Sequence, residues 1–287
     1  MKKLLLIVYC FLPTAYCFSQ LPDCDIWLLD VRDSAGKPAF SNPQNITNRK
    51  GYDNQPAFSP DGKYILFTSQ RDSNGSTDIY KYDLVLKTIT QFTKTTTSEY
   101  SPTFMPDGKN ISVVMVEKDS TQRLWKFPIA GGEPMCIMKN INSIGYHCWI
   151  NKDSVAIHVL TKPAFTLQVA NINSQKAEII ADSIGRCMKM RDGNLWFTTQ
   201  AGHFNNVYEY AFKSKTSVLK GVIESEDYCF AAKNAIWSCS DNTIVSGYMN
   251  NKSGADELVS LESFGIKKPT RIALSPDGKK LAVVSNK

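Results

Sequence analysis

The chain has 287 residues, 43% of them apolar and 21% charged, with a formal net charge of +6. A chain of that length buries an ample core without covalent staples. Its basic runs do not exceed pairs such as Lys267-Lys268 and Lys279-Lys280, which excludes the concentrated basic face that nucleic acid requires.

The first segment reads as an export signal. Lys2 and Lys3 supply the charged start, Leu4 to Leu12 the apolar core, Pro13 ends it, and Ser19 permits cleavage before Gln20. Leu4 to Phe18 spans 15 residues with a proline inside, short of the roughly 20 that cross a bilayer as a helix. A lipid anchor at Cys17 is the alternative, and Tyr16 immediately before it fits that motif poorly. No later stretch is apolar enough to span a membrane. Residues 1–19 are therefore expected to be a cleaved leader and 20–287 a single exported domain, periplasmic, outer-membrane associated or extracellular, with a net charge of about +4.

Beyond the leader the chain is a succession of short alternating strands. Asp25-Ile26-Trp27-Leu28-Leu29-Asp30 opens one hairpin. Gln55-Pro56-Ala57-Phe58-Ser59-Pro60-Asp61-Gly62-Lys63-Tyr64-Ile65-Leu66-Phe67 then makes another, and its pattern returns from Ser101 through Pro106-Asp107-Gly108 to Ile111. A third copy runs from Ile272 through Pro276-Asp277-Gly278 to Leu281. Proline lacks the N–H that a ladder needs, aspartate accepts from the backbone just ahead, and glycine takes the positive φ of the reversal. Asp-Gly between apolar runs is a strong hairpin signal.

Between these copies lie second hairpins, beginning near Asp78-Ile79-Tyr80, Arg123-Leu124-Trp125, Thr166-Leu167, Asn206-Val207 and Asp256-Glu257. Two hairpins per unit make a four-stranded antiparallel blade. Asp61, Asp107 and Asp153 stand 46 residues apart, and weaker turns follow near Asp192-Gly193 and Lys233-Asn234-Ala235 before Asp277. That spacing lies within the roughly 40–50 residues of propeller repeats. Six inner and six outer hairpins result. The N-terminal outer hairpin lacks its inner partner and the C-terminal inner hairpin lacks its outer one. Joined, they complete a sixth blade and leave few bare sheet edges. The expected fold is all-β, a six-bladed β-propeller.

The repeats resemble those of the PD40, or TolB-like, propeller family. Ser69-Gln70-Arg71-Asp72-Ser73-Asn74-Gly75-Ser76-Thr77-Asp78-Ile79-Tyr80 carries the likeness best, as that family's blade connector running into an outer strand. The resemblance covers almost all of residues 25–287, clearly in the first two blades and the last. TolB has a further N-terminal domain for which this chain leaves no room, so the likeness is to the propeller domain.

Chemistry is sparse. Cys24, Cys136, Cys148, Cys187, Cys229 and Cys239 follow the leader without a C-x-x-C pair; they read as buried thiols with at most one bridge. His147, His158 and His203 share no metal-ligand spacing. Asp72-Ser73-Asn74-Gly75 lacks the acidic ligand expected at the twelfth position of a calcium loop. The symmetric Asp61, Asp107 and Asp277 are each needed by their own turn. No nucleophile elbow or phosphate loop occurs, so no catalytic residue, cofactor or metal is nominated. The sequence-level reading is a binding module that meets an envelope protein at one rim or at the channel mouth. Tyr146, His147, Trp149, His203, Phe204 and Tyr248 are its candidate contacts. The alternative is a propeller that binds or cleaves acidic glycans.

Overall fold

The computed structural model describes residues 21–71, 75–231, 235–248 and 255–287. The expected leader, the centre of the supposed calcium loop, most of the turn near Lys233 and the segment after Tyr248 lie outside the described residues. Six four-stranded antiparallel sheets make up the molecule. The innermost strands are Asp53–Phe58, Ser98–Phe104, Ile144–Trp149, Ile184–Arg191, Tyr228–Phe230 and Pro269–Leu274, in blades 1 to 6.

The second strands are buried on both faces, because each lies between two neighbouring blades. Tyr64–Ser69 and Lys280–Asn286 accordingly read as near-continuous apolar runs. Six hydrophobic clusters fill the seams, one between every adjacent pair of blades. The seam between blades 6 and 1 joins Ile26, Leu28 and Val284 to Ile65, Phe67 and Tyr82. It is as apolar as the other five, so the ring is continuous.

The sixth blade is assembled from both ends of the chain, in the order Lys37–Asn45, Cys24–Ser34, Lys280–Asn286, Pro269–Leu274. Seven residue pairs, from Cys24↔Asn286 to Asp30↔Lys280, zip it together. Lys280 pairs with Asp30, and Lys287 lies 3.0 Å from Asp25 and 3.5 Å from Asp23.

The Pro-Asp-Gly phrase folds as its chemistry requires. Gly62, Gly108 and Gly278 have φ of +68°, +66° and +71°. Asp61 Oδ1 accepts from Ser59 Oγ at 2.7 Å and Lys63 N at 3.2 Å, and Asp277 repeats this with Ser275 and Lys279. These carboxylates are consumed by their turns and held below the usual range, by the Ser59 hydroxyl at Asp61 and the Ser275 hydroxyl at Asp277.

Blade 5 departs from the expected register. Its third strand is Thr243–Tyr248, and Ala255–Ser260, which contains Asp256-Glu257, is the fourth. The turn at Asp241-Asn242 is only two residues long, so this outer hairpin starts a strand earlier than the apolar pattern suggests.

Candidate binding channel

The six innermost strands surround a central cavity of about 810 Å³. Because every blade is antiparallel, strand 1–2 and 3–4 turns lie on one face of the ring and 2–3 turns on the other. The Pro-Asp-Gly turns define the first face. This alternation separates the six candidate contacts. His203 and Phe204 form the exposed 2–3 turn of blade 4, whereas Tyr248 ends a third strand and so lies toward the Pro-Asp-Gly face. They do not form one rim.

His147 lines the cavity beside Tyr146 but directs its Nε2 into the seam with blade 2, and Trp149 is packed in that seam. Ser112 Oγ lies 2.7 Å from His147 Nε2 and accepts from Trp149 Nε1 at 2.8 Å. Burial drives the His147 pKa down to about 3, so this imidazole is neutral. Both residues hold blade 3 against blade 2; Trp149 does not line the cavity, and His147 lines it with its Nε2 engaged by Ser112. Tyr146 does reach the channel.

Tyr146 belongs to a polar layer that sequence reasoning missed. Its hydroxyl accepts from Arg271 at 3.1 Å, and that guanidinium lies 5.3 Å from its ring centre. Arg271 also lies 3.5 Å from Asp227. Arg186 donates to Asp227 at 2.7 Å and to the Thr270 carbonyl at 2.7 Å, and pairs with Glu226 at 3.0 Å. Burial works to raise the Asp227 pKa, but Arg271 and Arg186 overcome it and hold the carboxyl below its ordinary value. The layer ties blades 3, 4, 5 and 6 together across the channel. Its sequence signal is arginine inside innermost strands, Arg186 in Ile184–Arg191 and Arg271 in Pro269–Leu274.

One step nearer the Pro-Asp-Gly face, six equivalent positions form a ring. Ala57, Thr103, Cys148, Lys189, Cys229 and Ala273 pair respectively with Leu66, Ser112, Ala156, Trp196, Trp237 and Ala282 of their second strands. All six line the cavity. Five are small and one is lysine. Among the described residues Lys189 has no carboxylate within ion-pairing distance, since Asp227 is held by the arginines. Burial opposes the charge on Lys189, while the neighbouring Cys187 and the Asp227 carboxylate favour it; the balance raises its pKa above the lysine norm.

Among the described residues the six cysteines are free thiols. Burial pushes Cys148 up to about 11 and Cys187 and Cys229 up to about 12. A thiol in that state is a poor nucleophile. Cys187 packs toward the next blade, donating to the Tyr228 carbonyl at 3.7 Å. Among the described residues no group of three or more His, Cys, Asp or Glu is placed to hold a metal ion, and no helix is long and apolar enough to cross a membrane.

The TolB beta propeller domain family, PD40, matches residues 23–186, more than half of the chain. The chain belongs to that family. No curated protein matches the sequence. Among solved structures, a putative TolB from Agrobacterium tumefaciens superposes with a TM-score of 0.66 at 14% identity, over 93% of this chain and 99% of that one. TolB from Acinetobacter baumannii gives 0.53 at 18% identity, over 70% of this PD40 chain and 52% of that one. An oligogalacturonate lyase from Vibrio parahaemolyticus gives 0.52 at 12% identity, over 92% and 98% of the two chains. At these identities the likeness is one of fold.

Proposed function

We propose that this PD40 propeller is an exported, non-enzymatic binding module of the cell envelope that holds a partner protein at the mouth of its central channel. The observation that carries the reading is the state of the channel's ionisable groups. A general base must be free to meet its substrate, but Asp227 and Glu226 are engaged by arginines and His147 is buried against Ser112. What remains is a rigid, open cavity with apolar walls and directed charge, which is suited to recognition. TolB-type neighbours and the leader-like N-terminus agree with an envelope setting.

The second reading, a propeller for acidic glycans, draws on the convergence of Arg186, Lys189, Arg271 and Tyr146 and on the fold shared with an oligogalacturonate lyase. Affinity capture from solubilised envelope, with crosslinking to place contacts, separates the two when run beside a panel of acidic polysaccharides. Crosslinks at the channel mouth to one protein, lost in Ala273→Trp, support the proposal. Binding or turnover of a polysaccharide without protein capture overturns it.

A further inference from the structure

Lys189 breaks the symmetry of the ring it belongs to. The positions equivalent to it in the other five blades carry alanine, threonine or cysteine, and none of these brings a formal charge into the cavity. Among the described residues no carboxylate forms an ion pair with this ammonium; Asp227 favours its charge only from a distance, so a counterion at the ring is still rewarded. The protein had carboxylates close by and spends them elsewhere: Asp227 and Glu226 answer Arg186 and Arg271, one layer deeper. Lys189 is therefore the cation that the channel leaves available.

The surroundings define what would complete it. Toward the Pro-Asp-Gly face the inner strands bring Phe58, Phe104, Met190, Phe230 and Leu274 to the cavity lining, with Ser275 and the turn-bound Asp277 at its edge. A ligand entering from that face crosses these apolar walls, then meets the ring of small side chains and Lys189. The ion-paired layer of Arg186, Asp227, Arg271 and Tyr146 lines the cavity behind it. Hydroxyl-rich sugar would need many hydrogen-bonding partners at the ring, and Ala57, Cys148, Cys229 and Ala273 offer few. A slender chain with apolar flanks and one carboxylate matches both the walls and the charge.

Resting on the channel as the binding site, we infer that Lys189 anchors the carboxylate of an acidic peptide segment, inserted from the Pro-Asp-Gly face with apolar residues on either side of its Asp, Glu or C-terminal group.

The test selects peptides of about eight residues from a random displayed library on the purified protein, then measures the strongest binders by fluorescence anisotropy. Selected peptides should carry an acidic group between apolar residues. Replacing that group by its amide, or Lys189→Met in the protein, should weaken binding by about 10- to 100-fold, as expected for a charge-assisted hydrogen bond. Lys189→Arg should retain most of the affinity. Lys189→Met should melt no lower than the wild type, which keeps misfolding out of the result. Selection of peptides without acids, selection of none, or unchanged affinity in Lys189→Met overturns the inference. So does trigalacturonate binding in place of peptide binding. If Ala273→Trp abolishes capture of the envelope partner but Lys189→Met does not, the channel reading survives and this inference alone fails. If neither substitution matters, both fail.

Discussion

Glu99 is fully buried on the innermost strand of blade 2, beside Asp78 in blade 1. Thr93 donates to its carboxyl at 3.1 Å, Thr97 at 3.1 Å, and Thr95 adds a shorter bond. Burial, followed by the nearby Asp78 charge, pushes its pKa up to about 8, against opposing hydrogen bonds from the threonines. A carboxyl whose pKa is raised by folding favours the protonated folded state. Its contribution is fully present below the unfolded value near 4.5 and is lost as pH rises through about 8. A span of that width corresponds to at most about 5 kcal/mol, comparable with the whole stability of many domains. Glu99→Gln copies the protonated form with the same shape. Urea titrations from pH 5 to 9 should show the wild type losing several kcal/mol relative to this variant, with the two nearly equal at pH 5. Asp53, also raised by burial, contributes a slope of the same sign to both proteins, so the difference between them carries the test. Equal slopes in the two proteins, or a gap that opens on acidification, would refute the argument.

Three other outcomes follow from the same structure. Ser112→Ala strands His147 Nε2 and Trp149 Nε1 in the seam and should cost about 2–4 kcal/mol in chemical denaturation, while leaving ligand affinity unchanged. Asp227→Asn leaves Arg186 and Arg271 facing each other and should cost about 3–5 kcal/mol; because the Asp227 pKa is depressed, the wild-type advantage should be present above the unfolded carboxyl value and disappear as pH falls below it. Gly62→Ala and Gly278→Ala meet no neighbouring atoms and should cost about 1 kcal/mol each, purely from the left-handed backbone, as read by shifts in the urea midpoint.

The architecture was legible because repetition reports it many times over. Asp61-Gly62, Asp107-Gly108 and Asp277-Gly278 each need a local turn, and equal spacing forces equal blades. Blade 5 was read less well, since Asp241-Asn242 makes a turn without the glycine that marks the others, and Thr243–Tyr248 was passed over as a strand. The site was harder. Alternation along Ile144–Trp149 does not say which side chain faces the axis, because a register shift between Ile144 and Tyr146 changes the count. His147 and Trp149 consequently point at Ser112, 35 and 37 residues back in the chain, a contact that no local pattern announces. Nor does sequence distance reveal that Arg271 and Tyr146, 125 residues apart, share a hydrogen bond.

Blades 4 and 5, which lose the Pro-Asp-Gly phrase, bring most of the charge to the axis, and Arg271 of blade 6 completes it. Blades 1 and 2 keep the phrase and place Ala57 and Thr103 on the ring, whereas blades 4 and 5 lose it and carry Arg186, Lys189 and Asp227. A symmetric propeller gains nothing from ionised groups such as Arg186, Lys189, Asp227 and Arg271 beside its channel, and their desolvation counts against folding. Arg186 and Asp227 offset part of that cost by pairing, which also braces the short innermost strand of blade 5 against its neighbours. Lys189 makes no ion pair among the described residues, and the Asp227 carboxylate favours its charge only from a distance. Departures from local rules without structural return are where function is expected to reside, and here they converge on one side of the channel, opposite the most regular blades. Partner contacts mapped by crosslinking should therefore be asymmetric around the ring, concentrated on blades 3 to 5; an even distribution over all six would contradict this account.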